Sequence, residues 1–405
     1  MKKAFSLLFA AAAACCAANA QDWNKVERIM ELMPEIRIEG MTPFQMPQQS
    51  NPSPDTVTIT IIGDVMLHQS QIDNCRERYA RINGKASPSS HTDFDFTPCL
   101  EGIKAQLSEA DICIANMEFT LAGPPFSGYP AFAAPDSYAS YVAECGVDVF
   151  LTANNHILDK GRKGIERTLE IYSQMRDSSG ILNTGCFADS TALSRDYPLF
   201  IDVKGIRIAL VNFTYGTNVD IAEDFPKVCR TDTTEIASAM LKARESADIV
   251  IALPHWGIEY DLKHCIQQRR TAEFLARHGA DAIIGSHPHV VQDIDTVKVT
   301  AGSLEKDVPV VYSLGNIISN MSAKNTQIGM IATLRIAVDG ESPARLLTPE
   351  YTLTWCSLPG KLTDSHVTIP VKEYLSRSSE WIDQADYRKM TETYRRILQT
   401  SGTGE

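Results

Sequence analysis

The stretch that decides the fold is IIGSHPHVV, residues 283–291. Its apolar start predicts a short buried strand that ends at Gly285, and two histidines, His287 and His289, follow on either side of Pro288. Proline fixes its own φ and has no backbone donor, which favours a tight turn. Two imidazoles on a turn at the carboxyl end of a strand are able to converge on one metal ion or on two adjacent ions. A pair of loop histidines without a ligand is the alternative interpretation.

Four other apolar strands of the predicted fold also end in polar side chains. These clusters are Gly63-Asp64, Asn116-Met117-Glu118, Asn154-Asn155-His156 and Pro254-His255-Trp256-Gly257. Ligands of open α/β sheets bind beyond the carboxyl ends of the strands, so we expect the five clusters to share one crevice. Taken singly, each has a structural explanation, such as an Asx-turn at Asp64 or a core histidine at His255. As an ordered series they predict a functional site.

The side chains of this series are typical of a divalent metal centre. The predicted ligands are Asp64, Glu118, Asn155, His255, His287 and His289. A mixed nitrogen and oxygen set without thiolate suits zinc, manganese, iron or cobalt. Glu118, an acid at the end of a buried strand, needs a partner and is the expected bridge if two ions bind. His156 is positioned to act as a general acid or to stabilise the transition state.

The order of the predicted elements favours an α/β fold with a mixed sheet or two stacked sheets. Strands alternate with helices over the first two thirds of the chain, and residues 199–203 and 206–211 predict a hairpin. Later segments, 326–338 and 348–355, alternate like antiparallel strands. Helices are expected at 100–108 and across most of 371–398.

Composition and the amino terminus indicate an exported globular protein. The 405 residues are 44% hydrophobic and carry a formal net charge of −12, which argues against nucleic acid as the main partner. Lys2 and Lys3, an apolar run and the sequence Ala18-Asn19-Ala20 predict a signal peptide over residues 1–20, so a periplasmic or cell-envelope location is expected. Cys15 and Cys16 leave a lipoprotein as the alternative.

The predicted domain organisation has three further parts. Residues 21–55 are expected to form a helix, 22–38, and a linker, 40–54. Residues 56–340 form the main domain. Residues 341–405 form an extension, a strand followed by helices, that packs on it.

The remaining eight cysteines show no CxxC pattern, which argues against a cysteine zinc site. Cys113 and Cys145 lie in apolar runs and are expected to be free buried thiols. Cys75 and Cys99 flank a polar insertion and form a candidate disulfide pair.

The chain resembles the CapA family of poly-γ-glutamate capsule synthesis proteins, which is similar to the calcineurin-like metallophosphoesterases. The segments that carry the resemblance run from about residue 58 to residue 320 and are GDVML at 63–67, NME at 116–118, ANNH at 153–156 followed by Asp159, Gly161 and Gly164, PHWG at 254–257 followed by Glu259 and Tyr260, GSHPHVVQ at 285–292 and YSLGN at 312–316.

The resemblance implies a four-layer α/β/β/α sandwich with a metal site between the strand ends. It also implies the six ligands named above, with His156 as the catalytic histidine and one or two divalent ions, manganese, zinc or iron, as cofactors. Within the matching segments we expect substrate contacts from Asn116, Trp256, Glu259 and Asn316. One departure from the metallophosphoesterase pattern is Met66, which stands where a ligand histidine is expected, and His68 is the candidate substitute.

Three functions remain open at this stage, and the third of them is a structural envelope protein whose N-terminal helix and C-terminal helical tail, 371–398, dock a partner. The first is a metal-dependent hydrolase, acting on a phosphoester or on an amide of an anionic envelope polymer such as poly-γ-glutamate. Lys160, Arg162 and Lys163 either supply positive charge near its site or form a solvated helix start. The second is a non-catalytic factor that binds the polymer or assembles a capsule system, since fold alone does not fix function. Envelope or membrane proteins of such a system are possible partners of either.

Overall fold

The computed structural model describes residues 36–43, 56–85, 91–301, 304–338 and 343–402, and within these ranges two large sheets dominate the fold. The first has nine strands. In spatial order they are Val367–Pro370 (β18), Glu350–Ser357 (β17), Ile328–Ala337 (β15), Thr56–Val65 (β2), Ile112–Met117 (β3), Val149–Leu151 (β4) and Leu182–Thr184 (β5), with Asn316–Ile318 (β14) beside β2 and Arg345–Leu346 (β16) beside β15.

The second sheet has seven strands in the described part of the chain. In spatial order they are Ile36–Pro43 (β1), Ile294–Ala301 (β12), Leu304–Val311 (β13), Ala282–Ile284 (β11), Ile249–His255 (β10), Ile206–Thr214 (β8) and Leu199–Val203 (β7). A small ribbon pairs Cys186–Phe187 (β6) with Lys227–Val228 (β9). The predicted hairpin is confirmed, because β7 and β8 pair antiparallel around Lys204 and Gly205.

The helices lie in the connections between strands. Their bounds are Gln69–Ile82 (α1), Pro98–Glu101 (α2), Lys104–Ser108 (α3), Asp136–Glu144 (α4), Gly161–Ser179 (α5), Ser190–Asp196 (α6), Thr233–Ser246 (α7), Ile266–Arg277 (α8), Val371–Tyr374 (α9) and Gln384–Ser401 (α10), with a 3-10 turn at Ser378–Glu380.

Alternation along the strands explains why the two sheets stack and why helices cover their outer faces. In β10, Ile249, Ile251 and Leu253 belong to the core between the sheets, whereas Val250 and Ala252 face α7 and α8 on the outside. The outer face of the nine-stranded sheet packs in the same way against α1, α4 and neighbouring segments. The predicted four-layer α/β/β/α sandwich is therefore confirmed.

The central strands of both sheets are parallel, and this brings the predicted clusters together. β2, β3, β4 and β5 run parallel in one sheet, and β8, β10, β11 and β13 run parallel in the other. In register, Asp64 of β2 pairs with Asn116 of β3, and Thr214 of β8 pairs with His255 of β10. The carboxyl ends of both sets meet at one edge of the sandwich.

Several predicted elements differ from the structure. Residues 36–43, predicted as helix end and linker, form β1 and pair with β12, a strand that the sequence analysis missed. The predicted helix 100–108 is two short helices around Gly102, where a Cβ atom would lie 2.5 Å from the Thr368 carbonyl. The predicted helical tail, 371–398, is interrupted between α9 and α10. The predicted signal peptide, Cys15, Cys16 and residues 22–35 lie outside the described ranges.

The eight cysteines in the described ranges are all free thiols. Cys113 and Cys145 are buried, as predicted. Cys75 and Cys99 are buried neighbours but are not bridged, so the candidate disulfide is absent from this structure. Among the described helices, none combines the length and the apolar character that a membrane span requires.

Candidate metal centre

The nine-stranded sheet contributes two buried carboxylates to the site. Asp64, in β2, and Glu118, just after β3, are both completely buried. Asn116 lies between them and donates from Nδ2 to Asp64 Oδ1 at 2.7 Å, with Glu118 Oε2 at 3.5 Å. The amide thereby holds two like charges side by side, an arrangement that is costly unless a cation or a proton offsets it.

The seven-stranded sheet contributes three imidazoles. His255 ends β10, and His287 and His289 follow β11 on the predicted turn. His255 Nε2 lies 2.8 Å from Asn155 Oδ1, which comes from the loop after β4. Its other nitrogen, Nδ1, lies 3.0 Å from the Ser286 hydroxyl. The amide oxygen and the imidazole nitrogen therefore stand side by side, as neighbouring ligands of one ion do.

The turn that carries His287 and His289 has a strained backbone. Their φ angles are 102° and 58°, in the region that glycine usually occupies. Such conformations cost about 1–3 kcal/mol each and persist where the surrounding structure requires them. The backbone N–H of His287 donates to Asp64 Oδ2 at 3.4 Å, which connects the turn to the opposite sheet.

Asn316 orients one of these imidazoles. Its Oδ1 lies 3.0 Å from His289 Nδ1, and its Nδ2 donates to the Thr326 carbonyl at 3.0 Å. Asp64 Oδ2 lies 3.3 Å from the same His289 nitrogen. With Nδ1 engaged in this way, Nε2 of His289 is left to face Glu118, the arrangement expected of an oriented metal ligand.

The electrostatics of the site disfavour two adjacent carboxylate charges and keep two of the imidazoles neutral. Burial first, and then the charge of Asp64, hold the pKa of Glu118 well above its usual range. Burial also lowers the pKa of His287 to about 3 and that of His255 well below its usual range, so both imidazoles are neutral near pH 7. Neutral imidazole is the form that binds metal.

Two buried polar atoms support a metal ion at this place. Glu118 Oε1 and His287 Nδ1 are buried without a hydrogen-bond partner in the described part of the chain. Two sets of ligand atoms, each within 4.8 Å of one another, converge here: Glu118 with His287 and His289, and Glu118 with Asp64 and His255. Glu118 belongs to both sets, which fits the predicted bridging role. The donor chemistry present therefore fits one or two divalent ions.

His156 lies beside this cluster and is paired with Asp159. Its Nδ1 lies 2.7 Å from Asp159 Oδ2, and its Nε2 lies 4.0 Å from Glu118 Oε1. Asp159 also accepts from the Phe132 N–H at 2.8 Å, which fixes the carboxylate. With Nδ1 paired in this way, Nε2 of His156 faces the metal centre, where it is available to donate or accept a proton.

The structure brings all six predicted ligands and His156 to one place. Asn116 and Asn316 are buried against the ligands, and these contacts favour a positioning role; their predicted substrate contacts stay predictions. Trp256 is 4% exposed and donates from Nε1 to the Tyr312 carbonyl at 2.8 Å, so it packs behind the turn. Glu259 is exposed, and its charge acts on Glu118 and His289, so it lies near the ligands at the outer side of the site, here called the mouth; its predicted substrate contact stays a prediction.

Neither Met66 nor His68 joins the convergent ligands within the described ranges. Met66 is buried in the core beneath the outer helices. The ring of His68 accepts from the Asn320 N–H at 3.3 Å and lies edge-on to Phe132 at 5.2 Å. The two convergent sets do not include this histidine.

The sequence analysis missed the loop that follows β8. Tyr215 packs against His287 with ring centroids 4.6 Å apart, and its N–H donates to the His255 carbonyl at 2.9 Å. Asn218 donates its N–H to the Asn155 carbonyl at 2.8 Å, and its amide Nδ2 lies 3.2 Å from His156 Nδ1. β8 is parallel to β10, so the rule applied to the other strand ends predicts this loop as well.

Comparison with known proteins gives the site a family. The model of the bacterial capsule synthesis protein PGA_cap matches residues 58–321, the region that holds every ligand described above. The chain belongs to the PGA_cap family. Among its relatives are the capsule biosynthesis protein CapA of Bacillus anthracis, 25% identical over 300 residues, and the PGA biosynthesis protein CapA of Bacillus subtilis, 28% identical over 194 residues.

These matches are partial on both sides. They cover 71% of this chain and 65% of the B. anthracis protein, and 47% of this chain and 48% of the B. subtilis protein. Among solved structures, one from Staphylococcus aureus, named as a 5'-nucleotidase, is 11% identical to this chain with a TM-score of 0.43. The superposition covers 84% of this chain and 58% of the S. aureus chain. For this PGA_cap member the family membership is shown by sequence, and the two-sheet architecture by its own strands.

Proposed function

We propose that this PGA_cap member is a metal-dependent hydrolase that acts in the synthesis, export or processing of a capsule or envelope polymer. The observation that carries the proposal is the position of Glu118. It is completely buried, has one oxygen without a hydrogen-bond partner among the described residues, and is shared by two convergent ligand sets. A carboxylate in that position is stabilised by divalent cations, and without them its burial costs free energy.

The roles of the residues follow from their contacts. Asp64, Glu118, Asn155, His255, His287 and His289 would hold the ions. When bound, such ions polarise the scissile group and lower the pKa of a water molecule. His156, oriented by Asp159, holds a proton at Nε2 and delivers it to the leaving atom. Asn116 and Asn316 keep Asp64 and His289 in place.

The proposed substrate is a phosphoester or an amide of an anionic envelope polymer of the poly-γ-glutamate kind. The names of the Bacillus relatives and the resemblance of residues 63–316 to the family motifs support the polymer. The sequence of residues 1–20 supports an exported protein in the periplasm or cell envelope, and manganese, zinc and iron fit the donor set.

The test combines metal analysis with activity. The purified chain is expected to contain about one or two divalent ions per molecule. Turnover is measured on phosphomonoesters, phosphodiesters, γ-glutamyl dipeptides and oligo-γ-glutamate. Chelation and His156→Ala should each abolish it, whereas His91→Ala, at an exposed histidine, should not. A metal-loaded chain that turns over none of these substrates would contradict the proposal.

A second candidate is a non-catalytic factor that binds the polymer for capsule assembly. Met66 favours it, because a buried methionine stands where a further ligand histidine is expected. The two candidates differ in His156→Ala. A binding factor keeps its affinity for oligo-γ-glutamate in this variant and shows no turnover in the wild type.

A further inference from the structure

The mouth of the metal centre is bordered by exposed tyrosines that no step above uses. Tyr129 is 74% exposed, and Tyr215 and Tyr260 are each 48% exposed. The ring of Tyr215 lies 4.6 Å from that of His287, and the ring of Tyr260 lies 6.3 Å from that of His289. Each of the two imidazoles on the turn after β11 therefore has a half-exposed tyrosine ring beside it.

Backbone hydrogen bonds connect both tyrosine positions to the strand ends that carry the ligands. The N–H of Tyr215 donates to the His255 carbonyl at 2.9 Å, and the N–H of Tyr260 donates to the Pro288 carbonyl at 2.8 Å. Tyr260 has a φ of 70°, which a tyrosine rarely adopts. Non-glycine residues in this region cluster at ligand sites, where the surrounding structure keeps them strained. The backbone therefore fixes the two positions from which these side chains project.

Glu259 adds a negative charge that acts on both rings. Burial first, and then this carboxylate, raise the pKa of Tyr260 to about 12, and the same two causes raise the pKa of Tyr215. Both phenols thus remain neutral, with electron-rich faces. The charge of Glu259 also acts on His289 and Glu118, which places it at the inner edge of the mouth.

Arg162, six positions after His156, is engaged by two carboxylates of its own. Arg162 lies 2.7 Å from Glu166 and 2.9 Å from Glu223. The mouth thus combines aromatic faces with an exposed carboxylate. Tyrosine faces beside a carboxylate are complementary to an ammonium ion, which both the ring quadrupole and the charge attract.

We propose that Tyr215, Tyr260 and Glu259, here called the ammonium rim, bind an ammonium group of a substrate whose anionic group enters the metal centre. The inference rests on the proposed function, because the anion needs the metal. The substrate is then zwitterionic. Two sources carry this chemistry: an amino-bearing phosphoester and the amino terminus of a γ-linked glutamyl chain.

The experiment compares matched ligands on the metal-loaded full chain by calorimetry. One pair is O-phosphoethanolamine and propyl phosphate, which differ in the ammonium. The other pair is γ-glutamyl-glutamate and its N-acetyl derivative. We expect the ammonium-bearing member of one pair to bind roughly tenfold tighter, and the pair that shows this preference identifies the source. Tyr215→Leu, Tyr260→Leu and Glu259→Gln should each reduce the preference at least threefold. Ile258→Ala, at an exposed residue on the same loop, should keep it.

A parallel measurement separates this proposal from the metal-dependent one. Tetramethylammonium and tert-butanol have similar shapes and differ in charge, and their binding to the metal-free chain is followed by saturation-transfer NMR. Saturation transfer to tetramethylammonium that disappears in the rim variants supports the ammonium rim even if no phosphate binds and no turnover occurs. The proposal would be overturned by equal binding of the two members within both anionic pairs. Equal saturation transfer to tetramethylammonium and tert-butanol would also overturn it.

Discussion

Glu118 Oε1 lies 3.8 Å from His289 Nε2, and within the described structure no hydrogen bond joins the two atoms. The separation is too long for a hydrogen bond and is suited to two ligands of a common ion. Glu118 and His289 come from different sheets, so the gap is set by how the sandwich packs. This gap is the feature from which the metal-dependent predictions follow.

Metal binding should raise thermal stability. At a metal concentration about 100 times Kd, the native state gains about 2.7 kcal/mol, or roughly 4–5 °C in the midpoint of unfolding for a domain of nearly 300 residues. The gain is measured by thermal unfolding with manganese or zinc and with a chelator. Glu118→Gln should lose most of it, whereas Glu144→Gln, at an exposed helical position, should show the wild-type increase. An equal increase in both variants would argue against Glu118 as a ligand.

Asp159→Asn should slow turnover without weakening substrate binding. The asparagine amide that replaces the carboxylate no longer fixes the proton on His156 Nδ1. We therefore expect kcat to fall about 100-fold with KM nearly unchanged. Asp73→Asn, at an exposed site on α1, serves as the control. A change in KM alone would contradict the positioning role.

Gly63→Ala should destabilise the fold strongly. A Cβ atom at this position would lie 2.0 Å from the Gly315 carbonyl oxygen, so β2 and the segment before β14 must move apart. We expect a loss of about 3 kcal/mol or more in the free energy of unfolding, measured with urea. At Gly216 the same substitution meets no atom within 4 Å and should stay within about 0.5 kcal/mol of the wild type.

Trp256→Phe should affect stability more than substrate binding. The variant leaves the Tyr312 carbonyl without the indole donor, at an expected cost of about 1–3 kcal/mol. Trp381 is a suitable comparison, because it is also 4% exposed but its Nε1 has no hydrogen-bond partner in the described ranges. Trp381→Phe loses no such bond and should cost less. An increase in KM for Trp256→Phe with unchanged stability would instead support a substrate contact.

Acidification should destabilise the protein through His366. Burial lowers the pKa of this histidine from 6.5 to about 4 in the folded state. The unfolded chain therefore binds the proton first, and stability falls as the pH drops below about 6.5. Between pH 7 and pH 5 the loss is about 2 kcal/mol. Urea unfolding across this range should show a correspondingly smaller loss in His366→Gln, while His91→Gln should follow the wild type.

The sequence predicts the ligand set because each ligand directly follows an apolar strand. Asp64, Glu118 and His255 need no knowledge of long-range packing beyond the rule that parallel strands end at one edge. The same rule covers Tyr215 and Asn218, which follow β8. Residues 215–218 contain no acid, histidine or cysteine, so the pattern of ligand residues that identifies the other strand ends does not identify this one.

Other features could not be predicted from local patterns. β1 and β12 pair with each other across more than 250 positions, and neither has the apolar run of a central strand. The 3-10 turn and the break between α9 and α10 depend on tertiary contacts such as that of Lys361 with Asp383, 2.6 Å apart. The positioning roles of Asn116 and Asn316 depend on distances that strand alternation does not give.

The ligands divide evenly between the sheets: Asp64, Glu118 and Asn155 come from one, and His255, His287 and His289 from the other. An ion held by both groups would cross-link the two sheets of the sandwich. It can be acquired only after the two halves have closed on each other, so metal uptake would mark the completion of folding. Any partner or variant that shifts one sheet relative to the other would weaken metal binding without contacting a ligand.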